Sequence, residues 1–235
     1  MLTVRSLIYV ALFYTWSLFW VLLISPLMLG PRRWMVRSWR VWSWVVMGLL
    51  WLICGVKVEL RGAQHIPTGV ALIAPKHHCM LDVFAQFAWL PDSCFVTKKE
   101  LMWIPFFGWY AAKGRMIVID RAGHAKTLRK MIVDAKDRFA EGRQLVIFPE
   151  GHRSEPGVAG DYKPGIAALY RELNVPVYPV ATNAGVHWPA HGFKRKPGLI
   201  VFEYLEPIPP GLKRAEFMRL LEERIETASM ALLEL

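Results

Sequence analysis

The sequence predicts an α/β domain, a sheet flanked by helices, set behind an N-terminal helical arm that holds it to a membrane. Three observations lead there. Short apolar runs alternate with stretches of helical periodicity, a long uncharged segment lies near the N-terminus, and several apolar runs end in polar clusters. At 235 residues the chain has room for one such domain and a short appendage, but not for a second full domain.

Composition narrows the partners. Hydrophobic residues make up 54% and there are 11 tryptophans, which suits a protein that touches lipid, where indoles favour the interface. The net charge of +10, from 29 Lys and Arg against 19 Asp and Glu, favours anionic partners such as phospholipid headgroups or phosphorylated substrates. No zinc-finger spacing or ribonucleoprotein signature is present, so nucleic acid is not expected as a partner. Three cysteines, Cys54, Cys79 and Cys94, make neither an even framework nor a Cys-x-x-Cys pair, and a reducing compartment fits. Together with His65, His77 and His78 they match no standard ligand spacing, so no metal is expected.

The arm comprises residues 1–56. No charged residue occurs between Arg5 and Arg32, and Leu7 to Leu29 reads as a membrane segment. About 24 residues rising roughly 1.5 Å each reach about 36 Å, enough for a hydrocarbon core of about 30 Å. Pro-Arg-Arg-Trp follows where a signal peptide would have small residues, which argues against cleavage. Arg33, Arg37 and Arg40 recur at helical spacing among Trp34, Trp39, Trp42 and Trp44, a pattern for an interfacial helix with basic groups at headgroup depth. A second apolar run, Val41 to Val56, is shorter, and two full crossings would place the arginines on the side opposite the domain. The positive-inside tendency therefore favours one deep helix and one lying shallow.

The domain comprises residues 57–235. Val58-Glu59-Leu60 alternates, and Gly62, Pro67 and Gly69 mark turns. Strands are predicted at Val70 to Ala74, Cys94 to Thr97, Met116 to Ile119, Gln144 to Phe148, Val177 to Ala181 and Leu199 to Tyr204. Helices are predicted over His124 to Glu141, Gly165 to Leu173 and Arg214 to Leu233, the last an amphipathic cover for the sheet. Leu101 to Tyr110, apolar and broken by Pro105 and Gly108, reads as a second membrane-contacting surface or the wall of an acyl groove.

Chemistry concentrates where apolar runs stop, as open α/β sheets require. After Val70 to Ala74 comes Pro75-Lys76-His77-His78-Cys79-Met80-Leu81-Asp82. A histidine is the usual general base, and an Asp bonded to its second nitrogen fixes the tautomer and steadies the imidazolium. His77 and Asp82 can do this only if His77 precedes the helix that carries Asp82, because five residues apart on one helix they face different ways. His78 and Asp82, four apart, can instead make an ordinary helix-surface pair, and spacing leaves both open. After Met116 to Ile119 comes Asp120-Arg121, where a guanidinium can fork a phosphate. After Gln144 to Phe148 comes Pro149-Glu150-Gly151-His152-Arg153-Ser154. Glu150 can accept from substrate hydroxyls or orient a base, Gly151 admits close backbone approach, and Arg153 adds phosphate-binding charge.

His77 and Asp82 with four residues between, Ile119-Asp120-Arg121, Phe148-Pro149-Glu150-Gly151 and Val175-Pro176-Val177-Tyr178-Pro179-Val180 resemble, in order and spacing, the four motifs of the glycerolipid acyltransferase family. The likeness covers roughly residues 57 to 210 and is greatest to bacterial members that acylate 1-acyl-sn-glycerol 3-phosphate. The arm also resembles the helical membrane anchor of those bacterial members.

The resemblance implies a glycerol-phosphate acyltransferase-like central mixed sheet and an enzyme without a cofactor. It implies transfer of an acyl chain from acyl-carrier protein or coenzyme A to lysophosphatidate, giving phosphatidate. In its terms His77 is the base and Asp82 its partner. Arg121 holds the acceptor phosphate, Glu150 and Gly151 help bind glycerol phosphate, and Pro179 lies in the motif linked to the acyl donor. It places the protein at the bacterial inner membrane with the domain facing the cytoplasm. A lyso-ornithine lipid, glycerol 3-phosphate or another lysophospholipid is an alternative acceptor. A catalytically dead membrane scaffold would be expected to have lost a motif residue, and none is lost.

This chain departs from the family's pattern at Lys76, where Asn is common, at Cys79, where Ser is common, and at His152, where Thr is common. Cys79 beside a histidine raises a thiol nucleophile as an option, although the family transfers directly. Asn183, His187 and His191 follow the fourth motif and are further candidates for lining the site. Lys194-Arg195-Lys196 reads as a solvated or headgroup-facing turn.

Overall fold

The computed structural model describes residues 1–120 and 123–235. Its centre is a seven-stranded sheet of β1 (Val56–Arg61), β2 (Ala71–Pro75), β3 (Ser93–Lys98), β4 (Ile117–Ile119), β5 (Gln144–Val146), β6 (Val177–Thr182) and β7 (Gly198–Tyr204). The spatial order is β1-β7-β6-β2-β5-β3-β4, with every pair parallel except the antiparallel β6–β7. The sheet is therefore mixed, as the resemblance implies. β2 sits between β6 and β5, and all five of its residues are buried, the continuous apolar run that a central parallel strand requires.

Helices cover both faces. Helix α3 (Leu81–Trp89) follows β2, α4 (Phe107–Lys113) precedes β4, and α5 (His124–Ala140) and α6 (Pro164–Leu173) flank β5. The short α7 (Ala184–His187) follows β6, and α8 (Arg214–Leu232) closes the chain. On α8 the buried residues are Phe217, Leu221, Ile225, Ser229 and Leu232, a four-and-three spacing that lays one stripe on the sheet. The parallel connections bring the C-terminal ends of β2 and β5 side by side, with β4 two strands away.

The arm is a helical hairpin. Helix α1 runs Leu2–Leu23, a short 3₁₀ turn occupies Ser25–Leu29, and α2 runs Arg32–Cys54. Trp42 Nε1 donates to Ser17 Oγ at 3.3 Å, and Arg5 Nε donates to the Ile53 carbonyl, so early residues of α1 meet late residues of α2. The two helices are antiparallel and of nearly equal length. The two helices expected in the arm, one deep and one lying shallow, pack along each other, and α2 begins nine residues before its apolar run. The apolar segment is also shifted. Helix α1 takes in Arg5 and stops at Leu23, before Ser25-Pro26.

Helix α1 is long and apolar enough to cross a membrane. Its outer side exposes Leu7, Ile8, Leu12, Leu18, Phe19 and Leu22. Its inner side contributes Tyr9 and Phe13 to the same core that holds Val46, Met47 and Leu50 of α2 and the strands of the sheet. The arginines divide accordingly. Arg33 and Arg37 face outward, whereas Arg32 forks Asp92 with bonds of 2.6 and 2.8 Å and Arg40 donates to the Leu90 carbonyl at 2.8 Å.

The stretch from Leu101 to Tyr110 is a 3₁₀ turn and the start of α4, not buried core. It exposes Trp103 (85%), Trp109 (61%), Ile104 and Phe107. Tyr110 ties it to the hairpin by donating its hydroxyl to the Val21 carbonyl at 2.6 Å. One apolar surface thus continues from the tip of the hairpin onto the domain.

Candidate active site

The site begins with the loop that leaves β2. Lys76 N–H donates to the Val180 carbonyl at 2.8 Å, extending the pairing of β2 with β6 by one residue. The chain then turns into α3, with Asp82 in its first turn. A carboxylate there faces the free N–H groups of a helix start and the positive end of its dipole. Asp82 is fully buried. Its Oδ2 accepts from the N–H of His78 at 2.5 Å, from the N–H of Cys79 at 2.7 Å and from His77 Nδ1 at 3.0 Å. Three donors converge on one oxygen, and because that oxygen accepts from Nδ1 the imidazole is held in the Nδ1–H tautomer. Nε2 is then the nitrogen left to take a proton.

The alternatives left open by spacing are now separated. His77 precedes α3, bonds Asp82 and keeps 15% of its side chain accessible. His78 is buried at 1%, and its Nδ1 pairs with the Ser154 carbonyl at 2.9 Å. Only the backbone of His78 reaches Asp82, so no helix-surface pair forms between these side chains. Cys79 is equally buried and points its thiol at Asp82 Oδ1, 3.6 Å away. Burial, and secondarily the Asp82 carboxylate, push its pKa well above the ordinary thiol value. The thiol donates within the loop, and burial beside a carboxylate disfavours a thiolate nucleophile there.

The loop after β5 closes over the first one. His77 stacks on Phe148 with ring centroids 4.0 Å apart and planes 22° from parallel. The His77 carbonyl accepts from Ser154 N–H at 2.8 Å, and its N–H donates to Glu150 Oε1 at 3.1 Å. Glu150 is fully buried, and Lys76 Nζ lies 3.4 Å from its other oxygen. Lys76 is itself buried and is also clamped by Glu226 of α8 at 2.8 and 2.9 Å, while Tyr162 donates to Glu226 at 2.9 Å. Gly160 is needed here because a Cβ would come within 2.2 Å of Glu150 Oε2. Gly151 has φ +70°, a left-handed conformation that turns the chain sharply after Glu150.

The remaining sequence candidates are dispersed. Arg153 is exposed, with Nη1 3.2 Å from the Ala190 carbonyl. Pro179 is buried in β6, opposite Ala74, and its carbonyl accepts from Leu205 N–H at 3.0 Å. Arg121 lies outside the described residues, and its neighbour Asp120 forms an ion pair with Lys99. Asn183 does not line the site. It is buried and staples β7 to the end of α8 through the Leu199 carbonyl, the Leu232 carbonyl and the Val201 N–H. Arg195 is not solvated either, being only 6% exposed with its guanidinium 4.0 Å over the Trp188 ring. Among the described residues no group of three His, Cys, Asp or Glu is arranged to hold a metal ion.

Sequence reasoning missed the supports. Phe148, Ser154, Tyr162 and Glu226 carry no chemical signature by themselves, and Glu226 lies far along the chain from Lys76. The only signal was Lys76 itself, a cation between two apolar strand residues and a histidine pair.

At this parallel-strand end a carboxylate-held histidine stands beside a buried glutamate on an α/β scaffold, an arrangement chemically able to move a proton. The Acyltransferase family model matches residues 57–183, and the chain belongs to this family. The 1-acyl-sn-glycerol-3-phosphate acyltransferase of Pseudomonas aeruginosa is 34% identical over 154 residues, which cover 64% of this chain and 60% of the relative. The enzyme of the same name from Helicobacter pylori is 28% identical over 180 residues, covering 74% and 73%. The chain thus spans about three fifths of the length of the first of these relatives. The crystal structure of the 1-acyl-sn-glycerophosphate acyltransferase of Thermotoga maritima has the same fold, with a TM-score of 0.81, 21% identity and coverage of 99% of this chain and 98% of the other.

Proposed function

We propose that this protein transfers an acyl chain from an acyl thioester to the sn-2 hydroxyl of lysophosphatidate, giving phosphatidate. The observation that carries the reading is the 3.0 Å contact between His77 Nδ1 and a buried, triply bonded Asp82, which leaves Nε2 as a base on a partly accessible ring. His77 Nε2 takes the proton of the hydroxyl as its oxygen attacks the thioester carbonyl, and Asp82 offsets the charge of the imidazolium. The tetrahedral intermediate collapses, the C–S bond breaks, and the thiolate of coenzyme A or acyl-carrier protein leaves and takes the proton back.

Arg121 and Arg153 supply the phosphate-binding charge, while Glu150 and Gly151 shape the loop that receives the glycerol phosphate. Pro179 belongs to the donor side. The arm of residues 1–56 and the exposed Trp103 and Trp109 hold the 57–235 domain to the lipid, at the bacterial inner membrane with the domain on the cytoplasmic side. The apolar side chains exposed on α1 and around α4, tied together by the Tyr110 bond to the Val21 carbonyl, support attachment to lipid.

The test is turnover by the purified full chain with lysophosphatidate, lyso-ornithine lipid and another lysophospholipid, each with acyl-carrier-protein and coenzyme A thioesters. Phosphatidate formed in preference to other products, and lost in His77→Ala at unchanged membrane binding, is the expected result. Turnover with lyso-ornithine lipid alone would reassign the acceptor, and no turnover with any lipid would leave a scaffold.

A further inference from the structure

We propose that the pocket between α1 and the segment joining α7 to β7 binds a phosphate-bearing anion, held by the Arg195 guanidinium and the Tyr9 hydroxyl. The cavity measures about 110 Å³, and Tyr9, Phe13, Tyr14, Met80, Trp188 and Arg195 line it. Two of its polar side chains are more than nine-tenths buried, Arg195 at 6% and Tyr9 at 1% exposure. The Tyr9 hydroxyl and Arg195 Nε have no hydrogen-bond partner. Burial without a partner costs a polar group its water and returns nothing, so native proteins seldom leave such groups empty.

Arg143 differs in having counter-charges. Arg143 is fully buried as well, and the fold gives it Asp92 at 3.1 Å and Glu141 at 3.9 Å. Among the described residues no carboxylate lies within ion-pair distance of Arg195. Its Nη1 has only long bonds to the Gly192 and Lys194 carbonyls, at 3.4 and 3.3 Å. Burial lowers its pKa, as expected for a cation that the protein itself leaves uncompensated.

The group is nonetheless held in place. Its backbone N–H donates to Ser6 Oγ at 2.9 Å, and its plane rests on Trp188. A fixed guanidinium fork beside a free hydroxyl is a donor set for phosphate oxygens. Exposed Lys194 and Lys196 flank it and add positive field, whereas Phe13, Tyr14 and Phe193 give it an apolar rim next to the exposed Leu7 and Leu12 of α1. The phosphate has two possible sources, an anionic phospholipid headgroup or free phosphate.

The test is titration calorimetry on the full chain in phosphate-free neutral detergent, with dihexanoyl phosphatidylglycerol, dihexanoyl phosphatidylcholine and inorganic phosphate as probes. Saturable binding of phosphatidylglycerol is expected, weakened roughly tenfold by Arg195→Gln and about threefold by Tyr9→Phe, but not by Arg121→Ala. Tyr9→Phe removes one oxygen and keeps the ring packing, so it decides the matter even if Arg195→Gln does not fold. Competition by inorganic phosphate would identify free phosphate as a sufficient occupant, and its failure to compete would identify the lipid headgroup. Phosphatidylcholine bound as tightly as phosphatidylglycerol, or no loss of binding in Tyr9→Phe, would overturn the proposal.

Discussion

Two buried polar regions of this molecule differ in how completely they are paired. In the loop at residues 76–82, Asp82 Oδ2 has three donors, and Lys76 lies against the carboxylates of Glu150 and Glu226. Beneath α1, Arg195 Nε and the Tyr9 hydroxyl have none. Convergent donors and counter-charges hold the loop's geometry before substrate arrives, which is what the proposed proton transfer needs. An unpaired donor set does the reverse and keeps its free energy in reserve for something that binds.

The largest effect that can break this contrast belongs to Asp82→Asn. The amide favours the wrong imidazole tautomer, so kcat should fall by about 10³ to 10⁴ with little change in KM. Steady-state assays check it, and a loss below tenfold would show that His77 does not depend on this carboxylate.

Lys76→Met comes next. It leaves the buried Glu150 and the partly buried Glu226 without their cation, for a loss of about 3 kcal/mol in stability, and loosens the Glu150 bond that holds His77. Chemical denaturation should show the loss, and kcat should fall by roughly 10- to 100-fold while KM moves little. Lys76→Arg should recover part of both.

Asp92 offers a pH-dependent test outside the site. Burial raises its pKa, but Arg32 and Arg143 outweigh that and leave it below the ordinary value. Its stabilising contribution is therefore complete above the ordinary carboxylate pKa of about 3.9 and is lost as pH falls through the lower folded value. Asp92→Asn should lower Tm at neutral pH, and the gap from wild type should narrow as pH falls below about 4. A gap independent of pH would mean that the arginines do not depend on this charge.

Cys79→Ser is the smallest effect. The hydroxyl can replace the thiol as a donor to Asp82, so activity should stay within about threefold of wild type. Mass spectrometry of the quenched wild-type reaction should show no acyl group on Cys79.

Much of the fold was legible because its signals are local. The apolar run Val70 to Ala74 reads as a buried strand, and the strand observed there is Ala71–Pro75; the uncharged run before Arg32 suits lipid or core. His77, Asp82 and Glu150 were legible because reactive side chains directly after strands are rare in loops that serve only as connections. The pairing of α2 along α1 was not, since its first nine residues read as an interfacial stretch of arginine and tryptophan, and it takes the fold to bring Asp92, Glu141 and the Leu90 carbonyl to Arg32 and Arg40. Asn183 was misjudged for a similar reason, because its three backbone partners come from β7 and the end of α8.

The sequence by itself determined most strands and helices, the apolar and basic N-terminal arm, and the candidates His77, Asp82 and Glu150, since each depends on residue type and near-neighbour spacing. Tertiary structure alone decided which histidine meets Asp82 with its ring, that Cys79 is a buried donor, and that Lys76 is held between two glutamates. It alone decided that Arg195 is buried without a carboxylate partner and with its Nε unbonded. These outcomes depend on burial and on groups from distant parts of the chain, and a charge is satisfied or left wanting only by what the fold brings within a few ångströms of it.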